Sequence, residues 1–206
     1  MESPVKRTYT VPIMLIIITG LAILCVVLYS RLLIVQQGKT TDEGQRLAES
    51  YLVAALMAER LHAGSDGLLK AETTAQKLAA KQLLGEAGAA GAGESLNLYS
   101  KAATFPEKPD SEDEEVRRAV TALNAIIGTD GKLKGIGEHD GELTDEEKQT
   151  LTIVRDSASE MIQALQRFRT PTGEAGYRAM TVGGEWVTAA NEAIRVMEAA
   201  AAKLKP

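Results

Sequence analysis

The side chains that could do chemistry in this 206-residue chain are few and far apart. His62 and His139 are the only histidines, and neither has a second histidine or a cysteine at metal-ligand spacing. Cys25, the single cysteine, lies inside an apolar run, where a thiol behaves as a small hydrophobe. Carboxylates cluster at Glu112 to Glu115 and at Asp145 to Glu147, but both clusters fall at predicted helix starts, where they complement the positive end of the helix dipole. A serine nucleophile would need a base, and two isolated histidines do not supply one. Gly88, Gly91 and Gly93 stand in an alanine tract without the strand that a dinucleotide loop requires. The expectation is therefore no enzyme, no catalytic or cofactor-binding residue, and no resident metal or cofactor.

One loop tests that expectation. From Gly128 to Glu147 the chain reads GTDGKLKGIGEHDGELTDEE, and its second half resembles a calcium-binding EF-hand loop. With Gly141 at the sharp turn, Asp140 precedes it, Leu143 takes the apolar position, Thr144 the ninth and Glu147 the bidentate twelfth. The first ligand position then falls on Ile136 and the third on Glu138. An isoleucine has no oxygen to offer, so the segment is read as a helix–helix loop, with Thr144 and Glu147 spaced as a capping box. His139, flanked by Glu138, Asp140 and Glu142, is read as a surface residue.

The elements that would position these residues are helical throughout. Thr40 and Glu43 have capping-box spacing ahead of Leu47, Tyr51, Ala54, Ala55, Ala58 and Leu61, which recur on one face of a helix expected to end near Ala63-Gly64. Ser65-Asp66-Gly67 is expected to open a second, alanine-rich helix through Leu83-Leu84, and residues 85–94 (GEAGAAGAGE) to fray it into a flexible joint. A short piece with Leu96, Leu98 and Tyr99 has no assigned structure. Ser111 and Glu114 cap a stripe of Val116, Val120, Leu123, Ile126 and Ile127, while Leu151, Val154, Ala158, Met161, Leu165 and Phe168 follow Thr144. Thr170-Pro171-Thr172-Gly173 breaks the chain before a last region carrying Tyr177, Met180, Trp186, Ala190, Ile194 and Met197, with a second interruption expected at Gly183-Gly184. With aromatics scarce, Trp186 reads as a bulky core filler.

Ahead of all these lies the strongest signal. Residues 1–10 form a short polar tail, and Val11 to Tyr29 follow as nineteen residues without a charge, extended past Arg31 by Leu32 to Val35. About 20 apolar residues cross roughly 30 Å of hydrocarbon, so 11–34 is read as a membrane span. Pro12 sits at its start, and Arg31 is close enough to its end to snorkel. The core is too long for a cleaved signal and lacks a small-x-small site. The adjacent Lys6-Arg7 pair, the short tail and a resemblance to an uncleaved signal anchor favour N-inside, C-outside. A strict count of flanking Lys and Arg, with Lys6 and Arg7 before the span and Arg31, Lys39 and Arg46 after it, does not itself favour N-inside. Residues 35–40 are expected to be a juxtamembrane linker; the alternative is that the first soluble helix continues the membrane helix as a stalk, with the break at Gly38.

The fold class expected is thus all-α: one N-terminal transmembrane helix, then an antiparallel bundle of four or five helices over 41–206. The chain carries a net charge of −5; residues 1–35 hold Glu2 against Lys6, Arg7 and Arg31, a net of +2, which leaves −7 for the remainder. That sign and the lack of a basic stripe disfavour nucleic acid. The partners expected are the lipid bilayer and a membrane or extracytoplasmic protein, with self-association open. The leading function is a single-pass, membrane-anchored interaction or assembly module. The alternative is an extracytoplasmic small-ligand sensory domain, since a span followed by a bundle resembles the layout of bacterial membrane sensors; a second span and a recognisable signalling domain are missing from that layout.

Overall fold

The computed structural model describes residues 10–105, 112–128, 131–139 and 141–204. Among them the chain is all-α, with seven helices and no strand: α1 Thr10–Leu69, α2 Thr74–Ala92, α3 Glu94–Ala103, α4 Glu112–Ile127, α5 Asp145–Leu165, α6 Glu174–Thr181 and α7 Glu185–Lys203. Ser111, expected to cap α4, lies outside the described residues.

The largest departure from the sequence expectation is α1, an uninterrupted helix of 60 residues. Neither the 35–40 linker nor the break at Gly38 forms, and Thr40 and Glu43 do not cap a new helix. The hydroxyls of Thr40 and Thr41 instead donate to the carbonyls of Gln36 and Gln37, at 2.9 and 2.8 Å. A lone helical glycine costs only about 1 kcal/mol relative to alanine, which is too little to end a helix supported on both sides. The end expected near Gly64 and the restart at Ser65-Asp66-Gly67 also fall inside α1. There the glycines admit a neighbour instead of turning the chain: a Cβ on Gly64 would stand 2.7 Å from Leu84 Cδ2, and one on Gly67 would stand 3.0 Å from the Ala80 Cβ.

Helix α2 starts later than expected, behind a capping box between Thr73 and Gln76. It also runs through the Gly/Ala tract to Ala92 instead of fraying at 85. Tertiary packing outweighs the poor propensity there: Ala87 and Gly91 are buried, and Gly91 faces Ile127 and Met57. The unassigned piece is α3, docked through the fully buried Leu98 and Tyr99.

Packing against α1 follows a regular sequence of partners. Gly67 meets Ala80, Gly64 meets Leu84, Met57 meets Gly91, and Ser50 Oγ donates to Glu94 Oε2 at 2.9 Å. On its other side, Leu68 shares a cluster with Leu151, and Tyr51 Oη donates to the Leu165 carbonyl at 2.6 Å. The main core gathers Tyr51, Met57, Leu61, Leu98, Tyr99, Leu123, Ile126, Val154, Met161, Leu165, Trp186 and Met197, with alanines filling the spaces between them. Gly183 and Gly184, both at positive φ, interrupt the last region as expected and separate α6 from α7.

Candidate functional site

Among the described residues a dense polar constellation centres on Glu147 in the first turn of α5. Its Oε1 accepts the Gly137 N–H at 2.8 Å, while Oε2 accepts the Thr144 N–H and the Thr144 hydroxyl at 2.8 and 3.1 Å and contacts His139 Nε2 at 2.8 Å. Thr144 completes the expected capping box by accepting the Glu147 N–H. The loop reaches back to Glu147 because Gly137 takes a φ of +63°, a left-handed turn that side chains disfavour.

Below this network Ile136 and Leu143 are buried with Leu68, Ala80 and Leu151. Lys77 donates to the Gly141 carbonyl, and Lys81 pairs with Glu138 at 3.7 Å. The residues that resemble an EF-hand loop are therefore used otherwise. The residue in the first ligand position is a core side chain, and a carboxylate with about four lone-pair sites already has four donors. Among the described residues no group of three His, Cys, Asp or Glu side chains is placed to hold a metal. Asp140 lies outside the described residues.

These donors hold the Glu147 carboxyl at about 2, well below its ordinary 4.5; the Gly137 backbone is the largest cause and His139 the next, against a smaller opposing effect of desolvation. Because the folded state holds this proton more weakly than the unfolded chain does, the stabilisation is complete above pH about 4.5 and is lost as pH falls towards about 2. Glu147→Gln is expected to lower stability at neutral pH by about 2 kcal/mol and to flatten that acid limb. Melting temperature against pH for both proteins checks it; parallel curves would show that the network contributes nothing.

The other residues singled out in the sequence are dispersed. His62 is half-buried on α1, near Asp66, whose carboxyl is held below its usual range first by the Lys70 ammonium at 2.7 Å. Trp186 is buried and its indole N–H donates to the Met180 carbonyl at 2.9 Å, so it is a core residue, and Tyr177 is partly buried against the same core.

Sequence periodicity missed three features. A cavity of about 390 Å³ between α3, α4 and α7 is lined by Ala103, Phe105, Arg118, Asn191, Ile194, Arg195 and Glu198. Gly44 on α1 lies against the backbone of Tyr177 on α6. Leu52 and Leu56 on α1 are 57% and 43% exposed although they stand beside core residues in sequence.

The exposed apolar surface is concentrated at the other end of α1. Large side chains from Ile13 to Val35 are 39–70% exposed. This is the one helix among the described residues long and apolar enough to cross a membrane, and none of its most apolar stretch is buried by the protein. No protein-family model, curated protein or solved structure matches the chain.

Proposed function

We propose that this chain is a single-pass membrane protein whose helical domain docks another membrane or extracytoplasmic protein during assembly and catalyses no reaction itself. The observation that carries the reading is the continuity of α1. An apolar segment with no protein cover passes without interruption into a segment whose one face, through Tyr51, Ala54, Ala58 and Leu61, forms the domain core. Water would leave the first segment the most costly apolar surface of the molecule; lipid removes that cost. The succession of partners along α1 supports an antiparallel bundle, since residue numbers in α2 and α5 rise as those in α1 fall. The Lys6-Arg7 pair supports N-inside, C-outside.

Alkaline carbonate extraction is expected to leave the full chain in the membrane pellet, and protease added to intact cells to remove the helical domain. A carbonate-soluble chain would defeat the anchor; a domain protected until lysis would reverse the direction. In-membrane crosslinking is expected to recover a specific protein across growth conditions, and recovering none would count against the assembly role. A small-ligand sensory role is the second reading, favoured by the cavity between α3, α4 and α7, whose size falls in the range of ligand sites. Ligand-induced melting shifts abolished by Arg195→Ala would support it over docking.

A further inference from the structure

We propose that the turn joining α6 to α7 is a second membrane contact, in which Val182 enters the headgroup layer of the bilayer that α1 crosses. The inference rests on the membrane reading above, because the span sets the height of every residue along α1.

That height can be followed down the domain. Leu165 and Phe168, at the end of α5, meet Tyr51. Tyr177 then lies against Gly44, and Arg178 donates to Thr41 Oγ1 at 3.0 Å. Residue numbers in α6 thus rise as those in α1 fall, and α6 descends towards the span. Helix α7 climbs back, since Glu192, two turns into it, pairs with Arg167 beside the Tyr51 level. Val182, Gly183 and Gly184 therefore stand at the lower end of the α6–α7 pair, with both glycines at positive φ where the chain reverses.

Burial along α1 marks the same edge. Every residue from Ile13 to Lys39 is exposed, and cover begins at Thr40 and Thr41, the level that α6 reaches. Thr40 follows Val35 by about 8 Å at 1.5 Å per residue. The headgroup layer extends roughly 5–7 Å beyond the hydrocarbon on each side, so the turn stands against it. Val182 is the side chain the turn presents there. At 79% it is the most exposed large apolar residue among those described, although its neighbour Met180 is buried and Gly183 packs on Phe105.

Charge selects the kind of lipid. At 100° per residue Asp42 and Arg46 fall on the side of α1 opposite Gly44. Of the charged groups nearer the turn, Lys39 pairs with Glu43 at 3.9 Å and Arg178 with Glu174 at 3.4 Å, while Glu185 opens α7. No basic patch is left there to draw anionic lipid. A zwitterionic headgroup fits this balance, because its outer ammonium can face Glu185 while Val182 supplies the apolar contact.

The test uses the full chain in phosphatidylcholine vesicles, with Cys25→Ser in every variant and an environment-sensitive fluorophore attached at Val182→Cys or Leu78→Cys. Leu78 is 70% exposed on α2 and close to Ala80, which meets Gly67 about 40 Å further along α1 than Thr41. Emission from the Val182 site is expected to shift to the blue relative to the Leu78 site and to be quenched by a nitroxide carried on the lipid headgroup. The Leu78 site is expected to respond only to aqueous iodide. Matching emission at the two sites, or a Val182 response that arises only when anionic phosphatidylglycerol is added, would overturn the proposal. Flotation of the same vesicles separates the two readings: a chain that floats with its Val182 probe in water defeats only this contact, and a chain that stays behind defeats the anchor as well.

Discussion

Trp186→Ala is expected to lower the stability of the helical domain by about 4 kcal/mol, the usual cost of emptying a large aromatic site. Trp186 is 2% exposed and stands at the first turn of α7, where it closes the core beneath α6 and tilts against Phe105 with ring centroids 6.1 Å apart. Two losses combine. The cavity left behind removes dispersion contacts, and the Met180 carbonyl loses its indole donor. Trp186→Phe keeps most of the volume and drops the hydrogen bond, so it should cost about 1–2 kcal/mol. Chemical denaturation of the full chain in detergent, followed by circular dichroism, checks both. An alanine variant as stable as the parent would mean that α6 and α7 do not share a core through this residue.

Gly44→Ala is expected to be nearly as damaging, at about 3 kcal/mol, although it improves the helix propensity of α1. The added methyl would land on the Tyr177 carbonyl, a backbone atom that cannot rotate away. Helix α6 must move, and with it the Arg178 guanidinium that donates to Thr41 Oγ1 at 3.0 Å. Trp186 emission should shift to the red as Met180 leaves its indole. Gly85→Ala provides the opposite sign on the same scale: open space surrounds Gly85 in the middle of α2, so that variant should gain up to about 1 kcal/mol. If both substitutions stabilise, the close crossing of α1 and α6 is not formed.

These two glycines show why the chain was only partly legible. Apolar periodicity located the stripes of α4, α5 and α7 and the Thr144–Glu147 cap, because each depends on residues within a few positions of one another. It also marked 11–34 as part of a helix long and apolar enough to cross a bilayer. Turns at Gly38 and at Ser65-Asp66-Gly67 were expected because glycine and its polar neighbours signal breaks locally. Their absence is tertiary: Gly64 and Gly67 admit α2, and α1 continues under the packing it gains. Residues 85–92 stay helical for the same reason, held by Gly91 against Met57 and Ile127.

The Glu147 site divides in the same way. Its cap could be read from spacing, but the Gly137 N–H and His139 come from ten and eight residues away, through a left-handed turn that spacing did not reveal. The exposed Leu52 and Leu56 carried no local signal at all. Only the placement of α2 and α5 shows which side of α1 is left uncovered.

The unbroken α1 also makes the domain a lever. Leu69 stands 34 residues beyond Val35, about 50 Å along the axis at 1.5 Å per residue. For the proposed anchor at the common tilt of about 20°, the far end, where the Glu147 loop packs on Leu68, would be displaced sideways by about 17 Å from the point where the chain would leave the bilayer. In the proposed membrane setting bilayer thickness becomes an input to position: a thinner membrane leans the anchor further, and without a hinge at Gly38 the whole domain leans with it. The same stiffness couples azimuth, so that turning the buried segment about its axis turns the far loop through an equal angle.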